Sequence, residues 1–168
     1  MAVTKKEFKR ICRAGSVQEL KNIIASEKNF ARLRFDDMDT PLIIAADKAK
    51  NPEILKIIIS AGVDVNARND DGETALMEIM DDHVSFECVK VLLENGADVN
   101  IRDDDGETAL MKALDENVSE NIINALLDAG ANVKIKDNKG RDIFHYTRKA
   151  HRLQGSETIK RIEKAMAE

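Results

Sequence analysis

The residue types that could carry chemistry are few and scattered. The chain has three histidines, His83, His145 and His151, and two cysteines, Cys12 and Cys88. A helical zinc site needs histidines four apart or paired Cys-x-x-Cys ligands, and neither spacing occurs. Both cysteines fall on predicted apolar helix faces, where a thiol acts as a small hydrophobe. Two cysteines cannot build a disulfide framework, so a reducing, cytoplasmic compartment is expected. The acidic loops NDDGE and DDDGE invite a calcium reading, since an EF-hand supplies oxygen ligands at fixed offsets. Aligning Gly72 with the loop glycine puts Ala67 at the first ligand position and Glu78 at the twelfth. Aligning Gly106 puts Ile101 first and Lys112 twelfth, so both loops fail. Glycines never cluster as in a phosphate-binding loop, and no Ser-His-Asp set can be assembled. The expectation is a chain without catalytic residues, metal or cofactor.

What the sequence does carry is a repeat. NDDGETALMEIMDDHVSFECVKVLLENGADVNIR is followed by DDDGETALMKALDENVSENIINALLDAGANVKIK. Thr40, Thr74 and Thr108 are spaced by 34, as are Leu42, Leu76 and Leu110, with Phe144 next. Gly62, Gly96 and Gly130 keep that spacing, and so do Gly72, Gly106 and Gly140. Within a unit, the Thr74 hydroxyl can cap a first turn, and Pro41 follows Thr40 at the position where proline is tolerated. Leu76, Ile79 and Met80 then give the i, i+3, i+4 face of a helix over Thr74 to about Asp82. A second helix over about Ser85–Glu94 turns Cys88, Val91 and Leu92 inward and ends at Asn95-Gly96. ADVNIRDDDG reads as an extended, hairpin-like connection. Helices of about 10 residues are marginal alone, so neighbouring units must share one core. The fold class is all-α, a helix-pair solenoid of about five units with short hairpin loops.

These motifs, DxxGxTALM and LLExGADVN, closely resemble the ankyrin repeat. The likeness is best over units 36–68, 69–102 and 103–136. Residues 5–33 resemble a family N-terminal cap and 137–167 a C-terminal cap, making 1–168 a single domain. The sequence departs in its period of 34, with one extra residue between the helices of each central unit. Ile43, Met77 and Met111 stand where the family usually has histidine. The resemblance places His145 in a local packing role. It implies that Asn66 and Asn100 brace the hairpins by side-chain hydrogen bonds, and it permits their hydroxylation, which Lys134 cannot undergo.

The resemblance also implies non-catalytic protein–protein binding on a concave face of hairpin tips and first-helix residues. Carried over, that face comprises Arg34, Asp36, Asp37, Asp39, Ile44, Asp47 and Lys48 in the second unit. The third unit adds Arg68, Asp70, Asp71, Glu73, Glu78, Asp81 and Asp82. The fourth adds Arg102, Asp104, Asp105, Glu107, Lys112, Asp115 and Glu116. These are 15 acids against five bases. The flanks are basic, with Lys136, Lys139, Arg141 and Lys149 in the last unit and Lys5, Lys6, Lys9, Arg10 and Arg13 in the first. An acidic groove repels a phosphate backbone and steers a basic protein or peptide. Tyr146, Arg68, Arg102, Met77 and Phe86 are the candidate anchors. Acidic tips that serve only solubility predict the same composition.

At 43% hydrophobic the chain is too apolar to be disordered, yet no run reaches the roughly 20 residues of a membrane helix. The N-terminus MAVTKKEFKRICRAG lacks the apolar stretch of a secretory signal. With 4% aromatics and no Trp, stacking platforms for nucleic acid are missing. The expected partner is therefore a protein or peptide, with no nucleic acid and no membrane, and the chain is expected to be monomeric. The rival reading is an effector or inhibitor, exported by a signal-less route, that occludes another protein's active site.

Overall fold

Neither row of helices could bury its apolar stripe alone, and the packing shows what each row is buried against. The computed structural model describes residues 3–48, 51–80 and 84–168. Among them the ten α-helices are α1 (Lys5–Ala14), α2 (Val17–Ser26), α3 (Pro41–Lys48), α4 (Pro52–Ser60), α5 (Ala75–Glu78), α6 (Phe86–Glu94), α7 (Ala109–Asp115), α8 (Glu120–Asp128), α9 (Ile143–Thr147) and α10 (Glu157–Ala167). Odd-numbered helices stack in the order α1, α3, α5, α7, α9, and even-numbered ones in the order α2, α4, α6, α8, α10. The result is a two-row solenoid whose contacts run to the next unit along the stack.

The period of 34 is written into the core. Phe8, Leu42, Leu76 and Leu110 occupy one buried column of the first row. Leu20, Ile54, Cys88 and Ile122 occupy one of the second, all fully buried. Cys88 thus takes a place filled elsewhere by leucine or isoleucine. Cys12 is equally enclosed, and burial pushes its thiol up to about 12. Each thiol packs as a small hydrophobe.

Local chemistry sets the helix ends. Thr40 Oγ1 accepts from the Ile43 N–H at 3.1 Å, and Thr74 Oγ1 from Met77 at a longer 3.4 Å. Thr108 makes no such bond, although it shares their column. Helix α5 is shorter than the periodicity predicts, Ala75–Glu78, yet Ile79 and Met80 remain buried. Burial of an apolar face outlasts helical geometry here. His83, Asp81 and Asp82 lie outside the described residues.

Candidate protein-binding surface

Between Val63 and Thr74, and again at each later junction, the chain leaves one unit and enters the next through a tight turn. No strand forms among the described residues; the expected hairpins are turns. Asn69 builds the third unit's turn. Its backbone N–H donates to Glu73 O at 3.0 Å, and its Oδ1 accepts from the N–H groups of Asp71 at 3.1 Å and Glu73 at 2.8 Å. Asp137 repeats all three bonds two units on, and Asp103 repeats the two with Glu107 one unit on. Sequence reasoning missed this column, although its spacing of 34 was visible. Two of its members are buried acids: Asp103 is 8% exposed and Asp137 5%.

Successive turns are tied together. The N–H groups of Asp70, Asp104 and Asn138 donate to the carbonyls of Asp37, Asp71 and Asp105, at 3.0, 3.0 and 2.9 Å. Arg68 spans two turns: Nε donates to Gly72 O at 2.8 Å, and Nη2 meets Asp104 Oδ1 at 3.0 Å. Arg102 donates likewise to Gly106 O, Lys136 O and Asn138 Oδ1. These arginines are clamps within the stack, and both remain exposed. Asn66 Nδ2 donates to Gly96 O at 3.0 Å, while its Oδ1 accepts from Asp98 N at 2.8 Å. Asn100 does the same to Gly130 and Asn132. Each asparagine therefore braces the next unit's loop.

The first-row helices and turns share a face with a cleft of about 330 Å³, lined by Glu73, Met77, Glu78, Met80, Glu107, Lys112, Asp115 and Glu116. Most of its charges are already matched. Lys112 Nζ lies 2.6 Å from Glu73 and 2.9 Å from Asp103. Burial pulls this ammonium down, but the two carboxylates overcome it and hold it above its ordinary range. Glu107 meets Arg141 at 3.0 Å, and Lys149 pairs with Asp115. Glu78 differs. Burial, a hydrogen bond with Glu73, and the charges of Glu73, Asp47 and Asp39 push its carboxyl up to about 7.

Two expected anchors are corrected. Tyr146 is 0% exposed, so it is unavailable to a partner. Its hydroxyl lies 2.8 Å from Glu107 Oε1 and 2.7 Å from Asp137 Oδ2, and the Arg141 guanidinium stacks 5.3 Å over its ring. Burial and the two carboxylates raise the phenol well above its ordinary value. Burial also opposes charge on Asp137, but hydrogen bonds from Tyr146, Arg141 and Lys139 overcome it and hold that carboxyl well below the usual range. Met77 is 3% exposed, because the residue after Leu76 still faces the stack. Phe86 is partly buried against the core. His145 lies 3.4 Å from Arg141 and edge-on to Tyr146, in a local packing position.

The remaining candidates do reach solvent. Asp36, Asp37, Asp70, Asp71, Asp104 and Asp105 are exposed at the turn tips, and Asp115 and Glu116 at the end of α7. Asp37 is held by Lys5 at 2.9 Å and Asp104 by Arg68, whereas the carboxylates of Asp36, Asp70, Asp71, Asp105 and Glu116 meet no cation among the described residues. Arg34 is exposed and turns back on Leu33 O at 3.1 Å.

Two stacked helix rows with clamped, side-chain-capped turns and an open first-row face define a repeat protein built to present a surface. The family model for ankyrin repeats, in three copies, matches residues 42–137, more than half of the chain. The chain belongs to the ankyrin repeat family. Such repeats are in general protein–protein interaction modules, and the family is typically non-catalytic. No curated protein matches the chain.

Proposed function

We propose that the chain is a non-catalytic binding module whose concave, first-row face takes a basic peptide or a basic protein surface. The observation that carries this reading is the set of exposed carboxylates that meet no cation among the described residues, beginning with Glu116 in the cleft lining. The exposed tips Asp70, Asp71 and Asp105 extend the same sign along the face. Charges of one sign steer an oppositely charged partner and raise its on-rate more than its affinity. Pre-built turns add rigidity, so little ordering entropy is lost on association. The polar clamps leave few desolvated aromatic anchors, and the expected affinity is modest.

A peptide-display selection on the whole chain tests the proposal. Selected sequences should be rich in Lys and Arg, and should be lost from a variant with Asp70, Asp71, Asp105 and Glu116 changed to Lys. Enrichment of neutral or acidic sequences on the first-row face, or retention of the basic ones by the variant, would refute it.

A further inference from the structure

The first turn tip departs from the other three. Where they carry Gly72, Gly106 and Gly140, this one carries Met38. Its φ is +57° and that of Asp37 is +62°, a region that glycine enters freely and other residues rarely do. Phe35 supplies part of the reason. It stands in the column of Asn69, Asp103 and Asp137 but has no side-chain oxygen to organise the turn, and it stacks instead on Phe8 at 5.5 Å. In the third and fourth units, the space a Cβ on the glycine would enter holds the guanidinium of Arg68 or Arg102. At the first tip Arg34 has left that role. Met38 is 50% exposed, the large apolar side chain left in solvent among the described residues. A disfavoured backbone here displays an apolar group outward, with no burial in return.

Helix α1 lies beside this tip. Its sequence KKEFKRICRA carries five cations and one carboxylate. Lys5 binds the tip, with Nζ 3.0 Å from Asp36 O, 2.9 Å from Asp37 Oδ2 and 3.0 Å from Asp39 Oδ2, and Lys9 Nζ lies 3.9 Å from Asp47. Arg10 is shared between Glu7 and Glu19. Lys6 and Arg13 are exposed and meet no carboxylate among the described residues. A groove of about 860 Å³ runs along α1, with Asp36 of the tip on its wall.

We propose that the α1 groove and the Met38 tip form a second docking surface, for an acidic protein segment that carries apolar side chains beside its carboxylates. The unmatched cations Lys6 and Arg13 select such a segment and repel the basic partner proposed for the first-row face, while Lys5 and Lys9 are matched by Asp39 and Asp47. The cations occupy one helix face and are rimmed by Asp36 and Asp37. A bilayer or a nucleic-acid backbone would need a broader cationic surface and would meet those carboxylates. Met38 adds an apolar contact that phosphates would not use.

The test is fluorescence anisotropy on the whole chain with two labelled dodecapeptides, one repeating Glu-Glu-Leu and one of Glu alone, at about 50 and 150 mM salt. The Glu-Glu-Leu peptide should bind more tightly. Met38→Gly should weaken that peptide about fivefold to tenfold and leave the all-Glu peptide unchanged. The same variant should keep or raise the urea midpoint, because glycine suits a positive φ. Lys6→Glu with Arg13→Glu should weaken both peptides about tenfold or more. Failure of the Glu-Glu-Leu peptide to bind at the lower salt, or unchanged affinity in either variant, would overturn the proposal. So would tighter binding of phosphatidylserine vesicles or of a single-stranded oligonucleotide through Lys6 and Arg13. Self-association that Met38→Gly abolishes would overturn it too, by giving the face to a second copy. At 150 mM salt, a variant with Asp70, Asp71 and Asp105 changed to Asn and Glu116 to Gln should bind both peptides within about twofold of the parent, which keeps this surface distinct from the first.

Discussion

Gly72→Ala offers a direct measure of how the turns hold the stack together. Gly72 has φ +76°, and a left-handed conformation costs an alanine roughly 1–2 kcal/mol. A Cβ there would also press on the Arg68 guanidinium and the Asp104 carboxylate, and would lie 2.9 Å from Asp104 N. The backbone nitrogen cannot move freely, because it donates to Asp71 O at 3.0 Å. The arginine must therefore leave its clamp, giving up its bond to Gly72 O and an exposed ion pair worth about 0–1 kcal/mol. The expected loss is about 2–4 kcal/mol in all. Gly96→Ala is the control. Its φ is +84° but nothing lies within 4 Å of the added carbon, so only the conformational cost of about 1–2 kcal/mol applies. Equilibrium urea denaturation followed by far-UV circular dichroism reads both. Equal losses in the two variants would show that the clamp and the turn-to-turn contact contribute nothing.

Three further outcomes follow from the same geometry. The Glu78 carboxyl, raised to about 7 against 4.5 in the unfolded chain, keeps a proton that the unfolded state has lost. Its contribution to stability is therefore fully present below about pH 4.5 and is lost as pH rises through 7. The full shift corresponds to about 3 kcal/mol, and partial exposure cuts this to about 1–2 kcal/mol. Urea midpoints at several pH values should fall accordingly, and Glu78→Gln should flatten the curve; an unchanged slope in that variant would rule Glu78 out as the source. Asn66→Ala removes both bonds to the next unit's loop and should cost about 1–2 kcal/mol, whereas Lys134→Ala in the same column should stay within about 0.5 kcal/mol. Leu76→Ala, at a fully packed position, should cost about 2–5 kcal/mol by thermal or urea unfolding, and a loss below 1 would contradict its burial.

The repeat, the two helix rows and the core columns were legible in the sequence, because a fixed period repeats the same local chemistry. Threonine caps, glycines at positive φ and apolar faces at helical spacing each act within a few residues, so their meaning survives without coordinates. The resemblance to the ankyrin repeat implied that Asn66 and Asn100 act as braces, although their acceptors lie about thirty residues away. What one unit does to the next was decided only by the tertiary structure. Tyr146 and Met77 sit in columns that could equally face solvent, and stacking buries both. Arg68 and Arg102 look like free cations until the following turn brings Asp104 and Asn138 against them. Acidic residues counted as one groove divide into Glu73, Glu107 and Asp115, which are matched by cations from later units, and Glu78, which is crowded by other acids. The physical reason is range. Helix capping, turn geometry and apolar periodicity depend on neighbours along the chain, whereas solvent exposure and ion pairing depend on which side chains the stack delivers from the adjoining unit.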